Sequence, residues 1–198
     1  MQMPIVKQIS KTGPESMDLY SYQFQTRKNI WLTGEITDET AMAVITQLQY
    51  LEQLDGRDIQ MYINSPGGSV TAGLAIVDAI HRCRCDVVTI ATGMAASMGA
   101  LILACGTKGK RQATPLTNIM IHQPLGGVRG QASDIALVAE QIMKTKEKLN
   151  RILADATRQT PATIAACCER DYHMDAEQAK SFGIIDKILS REEKGGGG

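Results

Sequence analysis

Aromatic residues are nearly missing from this chain: one tryptophan, two phenylalanines and five tyrosines amount to 4% of 198 residues. That composition argues against aromatic stacking platforms. The 18 glycines and 10 methionines favour close backbone approach and adaptable apolar packing instead. Net charge is missing too, because 21 Lys and Arg balance 21 Asp and Glu. A balanced surface gives no general pull toward nucleic acid or an anionic membrane, and neither is expected as a partner. No apolar run reaches membrane length and no signal-peptide pattern appears, so the expected location is the cytoplasm. The five cysteines, Cys83, Cys85, Cys105, Cys167 and Cys168, are odd in number and form no CxxC pair. They are expected to be reduced thiols, with no metal site; Cys83, Cys85 and His81 come nearest to a ligand set and fall short of one.

The length suits one domain, which can bury about 70% of its unfolded surface without disulfides or metal. Residues 1–16 carry Gly13-Pro14 and little periodicity, and read as a flexible arm. Residues 17–190 form the expected domain, and residues 191–198 a tail whose Gly195–Gly198 run reads as an appended linker. Within the domain, strands alternate with helices. Strands are expected at 29–32, 58–64, 87–91, 111–113, 118–121 and 184–189. Helices are expected from Asp38, as the capping residue, to about Leu54, at 69–82, at 98–104, from Gln131 to about Ala156, after Thr160-Pro161, and from Asp175 to Gly183. This recurrence means an α/β fold with parallel crossovers.

Two strand-to-helix turns stand out. In Gly93-Met94-Ala95-Ala96-Ser97-Met98-Gly99, small residues flank a serine at two positions before and two after, as a nucleophile elbow requires. The helix that follows would aim its positive end, and the Met98 N–H, at a developing oxyanion. The same spacing also suits a serine that merely caps a tightly packed helix. The second turn, Asn64-Ser65-Pro66-Gly67-Gly68-Ser69, has consecutive glycines that let N–H groups face a ligand, but no phosphate-loop lysine. A serine nucleophile needs a base, and the chain has only three histidines. His81 sits late in an amphipathic helix and His173 in a loop. His122 ends an apolar strand and is the best placed of the three. Spacing does not choose the acid, since triad order varies among unrelated folds.

The stretches INSPGGSVTAGLAI, GMAASMGALILACGTKGKR, MIHQPLGG and ERDYHMDAEQAKSFGIID together resemble the proteolytic subunit of the Clp ATP-dependent protease, over about Met17 to Leu189. The resemblance implies a serine endopeptidase with Ser97 as nucleophile, His122 as base and Asp171 as orienting acid. It implies an oxyanion hole from the N–H groups of Gly68 and Met98. Backbone at Gly68, Ser69 and Val70 and at Leu125, Gly126 and Gly127 would pair with an extended substrate. The implied fold is crotonase-like, with the helix at about 131–156 protruding as a handle. Two seven-membered rings would stack as a tetradecamer around a chamber for unfolded polypeptide, with Glu169 and Arg170 making contacts between rings. ATP would be used by a partner AAA+ Clp ATPase, and this chain would bind no cofactor.

Some positions depart from that pattern. Met94 stands where the family has glutamine, and Tyr22-Gln23-Phe24-Gln25 replaces a more usual Arg-Leu-Leu-Lys run. In the implied ATPase-docking pocket Leu48, Tyr62 and Leu189 keep suitable side chains, while Arg82, Gln112 and Thr114 stand in place of aromatic or aliphatic ones. The expected docking is therefore either direct or through a paralogous ring in a mixed complex. Two rival readings are a mainly structural or activating ring subunit and a crotonase-like CoA-thioester enzyme. The second lacks support in the Ser97 and His122 pair, because such enzymes work with carboxylates.

Overall fold

A computed structural model describes residues 3–10, 13–127 and 129–189. The central strand β4 (Ile59–Ser65) buries Ile59, Met61, Ile63 and Ser65 and leaves the residues between them half-buried or exposed, the period of a strand with one face on the core. It runs parallel to β3 (Asn29–Thr33) on one side and to β5 (Val87–Ala96) on the other. Beyond β5 the sheet continues through β6 (Gln112–Ala113) to β9 (Lys187–Ile188), also parallel. The helices α2 (Asp38–Leu54) and α3 (Val70–Arg82) connect the first three of these strands in turn. In α3, Ala72, Ile76, Val77 and Ile80 are buried, the spacing of one helix face.

The strand β5 is the branch point. The sequence pattern ends it at Ala91 and puts a turn over Gly93 to Ser97, but the strand runs on to Ala96. Gly93, at φ 68°, bends the chain without ending the ladder. Ile90 and Ala91 therefore pair with β6, while Met94, Ala95 and Ala96 pair with a different strand, β7 (Asn118–Ile121). A short antiparallel strand, β8 (Tyr172–Met174), closes this second branch.

The helix α4 (Met98–Ala104) is buried along its whole length, as its unbroken apolar sequence requires. The 26-residue α5 (Ala132–Thr157) is different: only Leu153, Ala154 and Thr157, near its end, are buried. Its first turns leave the core and expose Ile135, Leu137 and Met143. Two short helices follow, α6 (Pro161–Cys167) capped by Thr160 and α7 (Ala176–Phe182) with the expected Asp175–Gln178 capping box and Gly183 stop.

Other expectations are corrected. The residue that caps α2 is Thr37, in extended conformation with Thr40 completing a capping box; Asp38 lies inside the first turn. The expected closing strand over 184–189 shrinks to Lys187–Ile188, with Ile184 and Ile185 buried as loop residues. Part of the expected arm is ordered as an antiparallel hairpin, β1 (Ile5–Ser10) with β2 (Gly13–Asp18), running into α1 (Leu19–Arg27). The tail 191–198 lies outside the described residues.

One buried ion pair ties together the helices that flank the site. Arg111 is 5% exposed and grips Asp186 with two hydrogen bonds, Nε to Oδ2 at 2.8 Å and Nη2 to Oδ1 at 2.6 Å. Its Nη1 donates to the carbonyls of Ala104, ending α4, and Ala156, in the last turn of α5. Burial raises the Asp186 pKa, but hydrogen bonds from the Arg111 side chain and backbone outweigh it and hold the carboxyl below its usual range. A carboxyl with a depressed folded pKa contributes stability above its unfolded pKa and loses it as pH falls through the folded one. Asp186→Ala is expected to cost about 3 kcal/mol at pH 7, because it strands a buried guanidinium. In urea unfolding, the gap to the unaltered chain should begin to narrow below about pH 4, where the unfolded carboxyl takes up its proton, and close only once pH falls below the depressed folded pKa.

Candidate active site

Ser97 lies between the end of β5 and the start of α4, at φ 54° and ψ −121°. Three non-glycine residues among those described have positive φ, and the other two, Lys28 and Arg158, are ordinary left-handed helix caps. Ser97 alone combines positive φ with a ψ outside the left-handed helical region, a strained conformation that its surroundings must hold in place. They do so by hydrogen bonds: its N–H donates to Met120 O at 2.8 Å, and its carbonyl accepts from Ala100 and Leu101 at 3.0 and 3.1 Å. Its hydroxyl makes no capping bond to α4. The bland alternative, a serine present only as a helix cap, therefore does not describe this turn.

The two strand-to-helix turns pack on each other, which is why both are made of small residues. A Cβ added at Gly67 would lie 2.7 Å from Ser97 Cβ and 2.9 Å from Ala96 O. One added at Gly73 would strike the Met98 side chain, and one at Gly99 would come within 3.1 Å of Ser65 O. The consecutive glycines mark this turn in the sequence, but only the packing shows that Gly67 faces Ser97. Gly68, at φ 150°, bridges to Ile36, and a Cβ there would overlap the Ile36 carbonyl. The Ile36 groups bond to the neighbours on either side, Gly67 O and Ser69 N, each at 2.8 Å. The N–H groups of Gly68 and of Met98, the first residue of α4, thus find no acceptor among the described residues.

Strand register brings three distant residues to one edge. Parallel pairing of β5 with β7 matches Ala96 to Met120, so Ser97 and His122 emerge side by side. Antiparallel pairing of β7 with β8 matches Ile121 to Tyr172, which sets His122 opposite Asp171. His122 Nε2 lies 2.9 Å from Ser97 Oγ. His122 Nδ1 lies 3.4 Å from Asp171 Oδ1, a looser approach than a charge-assisted hydrogen bond makes. His122 is 15% exposed and Asp171 63%, so the acid is open to water on most sides. The other two histidines stand apart from this line: His173 Nδ1 meets Asn118 Oδ1 at 3.1 Å, and His81 lines a separate cleft beside Cys83, Cys85 and Cys105.

A narrow, mostly apolar cavity of about 40 Å³ opens beside Ser97, walled by Val70, Met98, Leu101, Ile121, Leu149 and Leu153, with Asn150 and His122 also lining it. Cys168 also borders it, and burial pushes its thiol up to about 11, so it is no competing nucleophile near neutral pH. All five cysteines are free. Of the expected substrate-binding backbone, Ser69 already spends its N–H on Ile36 O and its hydroxyl on capping α3. Leu125, Gly126 and Gly127 are exposed and pair with no strand among the described residues, with Gly126 close against Ile142 of α5. Glu169 is ion-paired within the chain to Lys146 at 2.8 Å, while Arg170 is exposed and without hydrogen bond or ion pair among the described residues.

The six residues expected in one docking pocket are divided between two surfaces. Leu48 and Arg82 line a cleft between α2 and α3, where Leu48 is only 2% exposed. Tyr62 lies on the open face of the sheet, stacked on Trp31 with centroids 4.4 Å apart and in register with Ile90 and Gln112. Thr114 and Leu189 follow at the ends of β6 and β9. Among the described residues no group of three or more His, Cys, Asp or Glu is placed to hold a metal ion, and no helix is long and apolar enough to cross a membrane.

The family model for Clp protease matches residues 11–192. This chain belongs to the Clp protease family, and its mixed α/β architecture with a mostly parallel sheet is that family's fold. Members are serine peptidases that generally oligomerise and work with Clp ATPases.

Proposed function

From that membership we propose that this chain is a serine endopeptidase subunit in which Ser97, His122 and Asp171 form the reacting line. The observation that carries the reading is the 2.9 Å contact between His122 Nε2 and the hydroxyl of a strained, non-capping serine. In the proposed reaction Ser97 Oγ donates its proton to His122 Nε2 as it attacks the scissile carbonyl carbon. The Asp171 carboxylate holds the Nδ1–H tautomer and stabilises the imidazolium that forms. The oxyanion takes hydrogen bonds from Gly68 and Met98, whose N–H groups have no other acceptor among the described residues. His122 returns the proton to the leaving amine, and a water repeats the sequence to free Ser97.

The cavity beside Ser97 has mostly apolar walls, which supports an apolar side chain on the acyl side of the cleaved bond; an ionised one would lose its hydration there with no charged partner in the lining except a protonated His122. The chain would act on unfolded polypeptide in the cytoplasm, inside stacked rings served by an AAA+ ATPase. The division of Leu48 and Arg82 from Tyr62, Gln112, Thr114 and Leu189 supports a docking pocket completed only between neighbouring subunits. The guanidinium of Arg82 in that pocket favours docking through a paralogue's ring over direct docking, since desolvating it is costly. The test of the chemistry is labelling by a fluorophosphonate. One adduct per chain is expected, mapped by mass spectrometry to the peptide holding Ser97; an unlabelled, folded and assembled chain would end this reading.

A further inference from the structure

Two separate segments carry the proposed base and its acid, and one side chain from a third element reaches both. Gln123 follows His122 directly, and Glu169 stands two residues before Asp171. Lys146 of α5 donates from Nζ to Gln123 Oε1 at 2.9 Å and to Glu169 Oε1 at 2.8 Å. The two segments are also tied to each other: Gln123 N donates to Cys168 O at 2.8 Å, and Gln123 Nε2 to Glu169 O at 3.4 Å. The result is a closed clamp of four hydrogen bonds around the loop ends that set the His122–Asp171 separation.

The neighbouring lysine shows what an ordinary surface cation on this helix does. Lys144 is 66% exposed and pairs with Glu140 one turn back, an arrangement that serves α5 alone. Lys146 is 17% exposed, lies on the side of α5 that meets the site, and spends its donors across the chain. In the sequence both belong to one charged run, Lys144-Thr-Lys-Glu-Lys148, with nothing to tell them apart. The hydrogen bond and charge of Lys146 hold the Glu169 carboxyl below its usual range. The distance it governs has little margin, because 3.4 Å is already long for the His122–Asp171 contact.

We propose that Lys146 is a positioning residue that couples α5 to the proton-transfer geometry by fixing the Gln123 and Glu169 segments against each other. This rests on the reading of Ser97 and His122 as the reacting pair. Lys146→Met keeps the stem of the side chain and removes the charge and donors. In the full assembled protein it is expected to lower kcat for a fluorogenic peptide about tenfold, with KM, melting temperature and native mass unchanged. Fluorophosphonate labelling should slow by a similar factor. Lys146→Arg, which can still reach both acceptors, should keep at least half the rate. A kcat in Lys146→Met within twofold of the unaltered chain overturns the proposal. So does a loss that comes with a change in native mass, which would place the effect in assembly. Failure of the unaltered chain to label would instead remove the Ser97 reading, so the two ideas fail separately.

Discussion

Ser97→Ala is expected to bring peptide hydrolysis to background, and His122→Ala to lower kcat by about four to six orders of magnitude. The two losses should be similar and should not add in the double variant, because a nucleophile and its base act as one unit. The physical reason is the 2.9 Å contact: with His122 removed, Ser97 must lose its proton to water, and a serine hydroxyl is a weak nucleophile at neutral pH. Neither variant should unfold the chain. The Ser97 hydroxyl caps nothing, and the backbone bonds that hold the turn come from its N–H and carbonyl, which alanine keeps. Relief of the strained φ is not available to alanine either, so the turn itself should stay. Asp171→Asn should cost less than His122→Ala, since Asp171 is 63% exposed and sits 3.4 Å from Nδ1, where water can replace part of its role. Peptidase assays over matched protein concentrations, with native mass checked for each variant, decide the matter. Hydrolysis by Ser97→Ala above about one per cent of the unaltered rate would exclude Ser97 as the nucleophile.

What the sequence made legible follows from where the deciding interactions lie. Local signals found most elements: the apolar stripe of α3, the Asp175–Gln178 box and the Gly183 stop are written within one or two turns of chain. They failed at Gly93, where a glycine reads as the end of a strand but serves as a bend within it. The paired strands at 5–10 and 13–18 were also missed, because their residues do not alternate in hydropathy. The small-residue spacing about Ser97 was legible as an elbow, yet it allowed a mere cap as well. Only the missing cap bond and the contact with His122 separate those readings. The link from His122 to Asp171 is a matter of antiparallel register between segments about fifty residues apart, and no local pattern encodes that. The resemblance suggested the residue; β7 and β8 supply the physical reason it lies there. Lys146 and Gln123 were invisible for the same reason, since their partners are chosen by the tertiary fold.

Gly68→Ala should lower kcat by about 10²–10³-fold with a smaller change in KM, although it alters no side chain that reacts. At φ 150° an alanine is strained, and its Cβ would overlap the Ile36 carbonyl and lie 2.7 Å from Ile36 N. Both neighbours are backbone atoms, held by the Gly67 and Ser69 bonds to Ile36, so they cannot swing aside as a side chain would. The loop must therefore move, and with it the N–H proposed to meet the oxyanion. That donor is worth most in the transition state, where the negative charge forms, which is why the loss should fall on kcat. The change should also destabilise the chain, by about 1–3 kcal/mol, so activity must be compared under conditions where circular dichroism shows it fully folded. Gly34→Ala separates strain from chemistry. Gly34 also has positive φ, at 78°, but nothing lies within 4 Å of where its Cβ would stand. It should lose some stability and keep the peptidase rate. Equal losses of kcat in the two variants would mean that the turn responds to backbone strain in general, and the oxyanion role of Gly68 would fall. A rate loss confined to Gly68→Ala, with fluorophosphonate labelling slowed in step, would assign that role to its N–H.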